Sequence, residues 1–331
     1  MKVVIYQNND RLKNEYFELV KRKYMNLKNF EYFFSDLKKA LKFSHLKQQP
    51  YFISVIDDST MLAHAAVICD RQLPRGTAFW GFFETSDNEE VFQLLWEKIK
   101  EVAREKGINR LLGPVNGSIW HQYRFIKETD RSPFFKTELF CEPFYYKLVK
   151  KTQEKEILYY SAYRNNFDNI IATTEPFYKK IMGDGFSLIE SVKLTEKDLD
   201  NILKHCKKIF RKSWGYIDLS SSCFADLYSS QKLVPHLKRI YFLKKNQQIV
   251  GYCSLMLEDR RTLILKSIAI LPEFQKLKLA NALIYKVHID AQLNQHQKVI
   301  YALIKENNAI KKLPKDDAVI FRRYVAFESY L

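Results

Sequence analysis

Between Ser267 and Val287 the chain reads SIAILPEFQKLKLANALIYKV, a pattern that permits few folds. A β-rich run ends at Leu271, and Pro272, which lacks a backbone donor, stops it. A helix then begins within a few residues. Its apolar positions Leu279, Ala280, Leu283, Ile284, Val287 and Ala291 recur at helical period along one face. The first turn of such a helix leaves backbone N–H groups unpaired, which makes it a natural seat for phosphate. This turn also carries Lys276 and Lys278, with no carboxylate after Glu273. A cation is unfavourable at a helix N-terminus unless an anion lies there. The turn at 275–280 therefore argues for a bound polyphosphate.

A chain of 331 residues suits two domains of about 150 residues each. The 47% hydrophobic and 15% aromatic content supplies two cores, while nine glycines and nine prolines imply short loops and disfavour sites built on glycine-rich turns. Cys69, Cys141, Cys206, Cys223 and Cys253 are scattered and odd in number, as expected of reduced, buried thiols. The seven histidines show no metal-ligand spacing, so no metal site is expected. The N-terminal apolar run is too short for a signal peptide, and no stretch approaches a membrane span. A soluble, cytoplasmic protein is expected. The formal charge of +16 favours polyanionic partners: nucleic acid, an acidic membrane surface or a phosphate-rich cofactor. The excess is spread through helices such as 19–28 and 203–213, as on solvated helix faces, and does not choose among them.

Hydrophobic periodicity gives a first half that reads strand (2–6), helices (11–24 and 29–43), strands (51–56, 61–69 and 77–83), helix (89–106) and strand (109–112). Asp57 to Thr60 reads as a hairpin turn, and Gly107 as the glycine that closes a helix. The second half repeats that order: strand 186–194, helix 196–212 capped by Thr195 and Asp198, a shorter helix at 224–233, strands 237–243, 248–257 and 262–271, helix 275–293, strand 298–304, and closing strands over 318–330. Two halves with one element order suggest a tandem repeat of one α/β fold with mixed sheets, divided near 164–175 after a strand at 156–163.

With that order laid out, residues 267–287 resemble the motif of the GNAT superfamily of acyl-CoA N-acyltransferases: a strand ending in V-x-P, then Q/R-x-x-G-x-G/A and a helix. Ile270, Leu271 and Pro272 stand for the strand end, Gln275 for the Q/R, and Ala280 for the final small residue. The resemblance covers the second half and, by element order alone, extends to the first. It implies two tandem GNAT-like domains, 1–165 and 166–331. One departure stands out: Lys278 replaces the middle glycine. Lys278 is expected to keep helical dihedrals and still offer its N–H. At the equivalent place the first half has Asp87, Glu89 and Glu90, which favour a helix start but repel a pyrophosphate. The first domain is therefore expected to hold no cofactor.

The resemblance further implies that acetyl-CoA, or another acyl-CoA, lies along Ser267, Ile268, Ala269 and Ile270, with its pyrophosphate on Gln275, Lys276, Leu277, Lys278, Leu279 and Ala280, and with Asn307 as a further contact. A small amine or amino-acid-like acceptor then attacks the thioester directly in a ternary complex. The strand 263–270 has no carboxylate where relatives carry a glutamate base, and 307–314 has no tyrosine where relatives carry an acid. Tyr301 and Tyr324 are the substitute candidates. Trp214 and Tyr216, after the helix 196–212, and Asn116, Trp120 and Arg124, in the polar stretch 113–124, are candidate acceptor contacts; an ordinary turn with Trp120 buried is the plain alternative for the latter. Two other functions stay open. One is an aminoacyl-tRNA-dependent peptidyltransferase, for which the charge suits tRNA; the other is a non-catalytic CoA-binding scaffold.

Overall fold

The computed structural model describes residues 1–42, 49–191, 195–229, 237–307 and 317–331. The chain forms two units. The first comprises Met1–Leu158, Trp214–Ile217 and Tyr324–Leu331; the second comprises Tyr159–Ser213 and Asp218–Arg323.

In the first unit, β1 (Lys2–Tyr6) leads to α1 (Asp10–Tyr24) and α2 (Phe30–Ala40), then β2 (Tyr51–Asp57), β3 (Thr60–Ile68) and β4 (Thr77–Glu84). Next come α3 (Glu89–Glu105), β5 (Arg110–Gly113), β6 (Phe125–Thr129) and α4 (Phe144–Lys150). Local chemistry sets these boundaries. The Asn9 side chain accepts the Leu12 N–H at 3.1 Å to open α1, and Asn88 accepts from Glu90 and Val91 to open α3. Asp58 and Ser59 take positive φ, the twist a two-residue hairpin needs between β2 and β3. The apolar stripe of α3, from Val91 and Phe92 through Trp96 and Ile99 to Ala103, is buried. The strands run in the order β1-β2-β3-β4-β5; the first four are antiparallel, and β5 is parallel to β4.

In the second unit, β7 (Lys155–Arg164) contributes from Tyr159 onward and is followed by α5 (Asp168–Gly183), β8 (Phe186–Ser191), α6 (Glu196–Phe210) and α7 (Ser221–Ser229). Then come β9 (Leu237–Lys245), β10 (Gln248–Asp259), β11 (Thr262–Ile270), α8 (Ala280–Leu293), β12 (Lys298–Lys305) and β13 (Val319–Tyr330). The capping box at Thr195 and Asp198 is present. Strands β8 to β11 are antiparallel in sequence order, and β12 is parallel to β11. Helices α5 and α8 cover one face, with Leu279, Leu283, Ile284 and Val287 packed among Val250, Cys253, Leu255, Leu263 and Leu265. Burying each such aliphatic side chain contributes about 1.5–3 kcal/mol.

In each unit the strand beside the parallel pair is distant in sequence from the neighbour it joins. In the second unit β7 lies antiparallel to β12, with Val299 opposite Arg164 and Lys305 opposite Tyr159. In the first unit the last residues of β13 lie antiparallel to β5, with Phe327 opposite Gly113 and Tyr330 opposite Arg110.

Several details differ from the sequence reading. α5 was not anticipated, because Pro176 sits inside it and interrupts the pattern a helix is recognised by. α4 and β6 were also missed. The stretch 275–293 is not one helix: Pro272–Leu277 is a 3-10 turn, and α8 begins only at Ala280. The expected closing strands over 318–330 are one strand, β13. Residue 43 of the second expected helix, 192–194 of the strand from 186, and 230–233 of the helix from 224 lie outside the described residues, as does 308–314. Among the described residues no helix is long and apolar enough to cross a membrane.

Candidate functional site

The phosphate-seat turn is built by a change of backbone hand. After the 3-10 turn, Lys278 adopts φ 56° and ψ 28°, in the left-handed region. The expectation of helical dihedrals at Lys278 is thereby corrected: the residue in the glycine's place takes a glycine's conformation, at a cost of about 1–2 kcal/mol for an L side chain. The reversal ends the 3-10 turn and re-aims the chain into α8. At this helix start the Asn281 and Ala282 N–H groups bond the Lys278 and Leu279 carbonyls at 3.0 and 3.2 Å, and the Leu279 and Ala280 N–H groups precede the helix's own ladder. Gln275, Lys276, Leu277 and Lys278 are exposed, whereas Leu279 is buried and anchors the turn to the core. The Lys278 ammonium lies 5.2 Å from the centre of the Phe177 ring on α5. Neither Lys276 nor Lys278 has an acidic partner among the described residues.

The strand leading into this turn has one edge open. β11 pairs with β10 from Gly251↔Ile270 to Ser254↔Ser267, then skips a residue so that Leu255 faces Leu265. Lys266 is the extra residue of this bulge. The Leu271 N–H donates to the Val250 carbonyl at 2.9 Å. Hydrogen-bonded and non-hydrogen-bonded pairs alternate along an antiparallel ladder, so Ser267 and Ala269 point their backbone groups at β10. Ile268 and Ile270 point theirs the other way. On that side the parallel ladder with β12 ends at Leu265↔Tyr301. Beyond it β12 skips register against β7 between Tyr301 and Ile304, with Leu303 at φ 55°. The Leu303 N–H is taken by the Ser161 hydroxyl at 2.9 Å. The two parallel strands thus part above Leu265. The Ile270 carbonyl receives the Gln275 side-chain amide at 3.2 Å, which ties the turn to the strand end.

On the α6 side of the bulge, the Ser254 and Ser267 hydroxyls lie 2.6 Å apart, and Tyr252 on the same face of β10 meets the Cys206 thiol at 3.0 Å. Burial pushes that thiol up to about 11, so it stays protonated at neutral pH.

In the first unit the corresponding gap is filled by the chain itself. The β4–β5 ladder ends at Phe79↔Leu112. The Val115 N–H then donates to the Trp80 carbonyl at 2.8 Å, and the Phe82 N–H donates to Asn116 Oδ1 at 2.7 Å. Phe82 stands at this sheet's own bulge, with φ 49°. The packing is close enough that a Cβ on Gly81 would lie 1.9 Å from the Val115 carbonyl oxygen. At the helix start that follows, Asn88 already caps the first N–H groups, and Glu89 is paired with Lys151 at 2.9 Å. Below it, Glu84 is buried and bonded to Tyr24, Tyr145 and Lys23; burial raises its carboxyl pKa.

The remaining candidates fall in separate places. Tyr301 is buried, with its hydroxyl bonded to His288 and Arg164. The Tyr324 hydroxyl donates to Glu138 within the first unit. Neither phenol faces solvent. Asn307 is exposed just after β12. Trp214 and Tyr216 do meet the stretch after β5: Tyr216 lies 5.8 Å from Trp120 and Trp214 stacks 6.1 Å from Tyr123. Arg124 covers the Tyr123 ring at 3.7 Å, and the Trp120 indole donates to the Ile217 carbonyl at 2.8 Å. The Asn116 side chain, by contrast, is spent on Phe82. Sequence reasoning missed His288, Arg164 and Ser161; a lone histidine on the apolar face of a helix was the available signal for the first.

Residues 200–311 match the sequence model of the Acetyltransferase (GNAT) family, a span that contains β11, the turn and α8. Comparison with curated protein sequences returns no match. Among solved structures, the chain is similar to a tandem GNAT protein from the clavulanic acid biosynthesis pathway: 10% identity, TM-score 0.59, 99% of this chain and 98% of that one covered. It is also similar to a probable N-acyltransferase from Enterococcus faecalis, with 10% identity, TM-score 0.62, and 99% and 72% of the two chains covered. A GCN5-related N-acetyltransferase from Anabaena variabilis aligns at 12% identity and TM-score 0.58, over 99% of this chain and 73% of that one. At these identities the structural likenesses speak to fold, and the family match adds the residues that bear the motif. Residues 200–311 thus match the acetyltransferase (GNAT) family, and the chain as a whole has the tandem GNAT fold.

Proposed function

We propose that the protein transfers an acyl group, most simply acetyl, from acyl-CoA to a small amine or amino-acid-like acceptor, and that only residues 166–331 hold the cofactor. Residues 1–165 would serve as a degenerate partner domain. The observation that carries this reading is the contrast between the two gaps. The gap beside Ile268 and Ile270 has outward-facing backbone groups and ends in a basic turn at a helix start, whereas Asn116 and Val115 fill its counterpart.

The cofactor would supply the activated acyl group. Backbone groups of Ile268 and Ile270 would hold its pantetheine amides, and the N–H groups of 278–280 with Lys276 and Lys278 its pyrophosphate. In the first unit the N–H at the bulge already binds an amide carbonyl, that of Asn116; the bulge at Lys266 would offer the same donor to a thioester carbonyl. With no carboxylate on β11, the acceptor's proton would leave through water. Trp120, Arg124, Trp214 and Tyr216 remain the proposed acceptor contacts.

Calorimetric titration with CoA and acetyl-CoA tests the reading: absence of binding at millimolar ligand would sink it. Lys278→Glu should weaken CoA binding, and Glu89→Lys should leave it unchanged. Equal effects would refute the assignment to the second half.

A further inference from the structure

A buried chain of hydrogen bonds stands where β11 and β12 part. Tyr301 is the last rung between them, opposite Leu265. Its hydroxyl lies 2.7 Å from His288 Nε2 on α8 and 3.1 Å from Arg164 Nε on β7. Arg164, Tyr301 and His288 are 2%, 4% and 0% exposed. His288 Nδ1 lies 2.7 Å from the Ile284 carbonyl, which can only accept, so Nδ1 carries the proton and Nε2 is an acceptor. That fixes every direction. Arg164 donates to the Tyr301 oxygen, Tyr301 donates to His288, and His288 donates to Ile284. Arg164 is further held by Asp317, 3.7 Å from its Nη1. Two residues beyond Tyr301, the left-handed Leu303 turns its N–H to Ser161 on β7.

An acid that protonates a departing thiolate must have a proton to give and a path to the reacting atoms. The Tyr301 proton is already donated to His288, and burial raises the phenol's pKa. We infer that Tyr301 is a positioning residue: with Arg164 and His288 it pins β12 to α8 and β7 at the mouth of the gap, and so sets the width of the cleft in which acyl-CoA would lie. This rests on the functional reading above.

The test is Tyr301→Phe in the full chain, with CoA and acetyl-CoA as probes. The ring's packing survives, while Arg164 and His288 each lose a partner. CoA affinity should fall about tenfold. The KM for acetyl-CoA should rise in step, with kcat and its pH profile unchanged in an assay of thiol release against a panel of amines. Amide hydrogen exchange without ligand should quicken at 265–270 and 301–305. A lower kcat with a shifted alkaline limb and unchanged CoA affinity would make Tyr301 an acid and overturn the inference. So would unchanged affinity and exchange, even with a lowered Tm, since a purely structural contact predicts that pattern. Should Tyr301→Phe fail to fold, Ser161→Ala leaves the buried chain intact and removes the acceptor for Leu303; it should shift affinity and exchange the same way, and no shift in either overturns the proposal. If the unmodified protein binds no CoA, the functional reading fails, and hydrogen exchange in Tyr301→Phe still decides the positioning role.

Discussion

Substitutions at Lys278 give the sharpest test of the turn, because they reverse a familiar order. In a helix interior alanine is more stable than glycine by about 1 kcal/mol. At φ 56° and ψ 28° an L residue carries about 1–2 kcal/mol of strain that glycine escapes. Glycine in turn loses about 0.5–1 kcal/mol more through the freedom of its unfolded chain. The difference leaves Lys278→Gly more stable than Lys278→Ala by about 0.5–1 kcal/mol. Both variants lose the contact with Phe177, worth about 0.5 kcal/mol at an exposed site, so that contribution cancels between them. Urea denaturation followed by circular dichroism resolves such a gap when the two variants share one slope. If Lys278→Ala is instead the more stable by about 1 kcal/mol, Lys278 is helical and the account of the turn is wrong.

Two further outcomes follow from buried groups. Burial lowers the pKa of His64 and of His288 from 6.5 to about 4, so each is neutral in the folded chain. The unfolded chain takes up the proton first; stability is therefore intact above pH 6.5 and is lost as pH falls towards 4. At 1.36 kcal/mol per pH unit, each histidine accounts for about 3 kcal/mol over that window. Denaturation between pH 7.5 and 4.5 should show a shallower loss in His64→Gln and in His288→Gln; parallel curves would contradict the burial argument. Deleting the last eight residues, Tyr324–Leu331, should unfold the first unit before the second. The deletion removes Val325, Ala326 and Phe327, all fully buried, and the 2.7 Å pair between Arg110 and Glu328. Losing one buried phenylalanine costs about 3–5 kcal/mol, against a typical total of about 5–15. Limited proteolysis should cut first within 1–158; first cuts within 240–305 would refute it.

Most strands and amphipathic helices were legible because one face is buried and the pattern shows it, as at α3 and α6. The tandem order was legible for the same reason. Three things were not. α5 hid behind Pro176, whose missing N–H the surrounding packing tolerates. The Lys278 conformation was unreadable, since lysine has no preference for positive φ and tertiary contacts impose it. The filling of the first unit's gap depends on Asn116 reaching Phe82, 34 residues away, and no local pattern announces such a contact. The acidic helix start after Glu84 differs between the halves in the sequence, but it carries no sign of Asn116 or Val115 in the gap.

The order in which these strands are made bears on synthesis. The strand that completes the second unit, residues 159–164, leaves the ribosome before the rest of that unit's sheet. The strand that completes the first unit leaves it only after the whole of the second unit. Until then the outer edge of β5 stays bare, a template for pairing with another nascent chain. The first unit thus waits for the second to be synthesised before its sheet can close, and a chain terminated before Tyr324 would carry that open edge. Expressing residues 1–165 alone would leave that edge of β5 permanently without its partner strand.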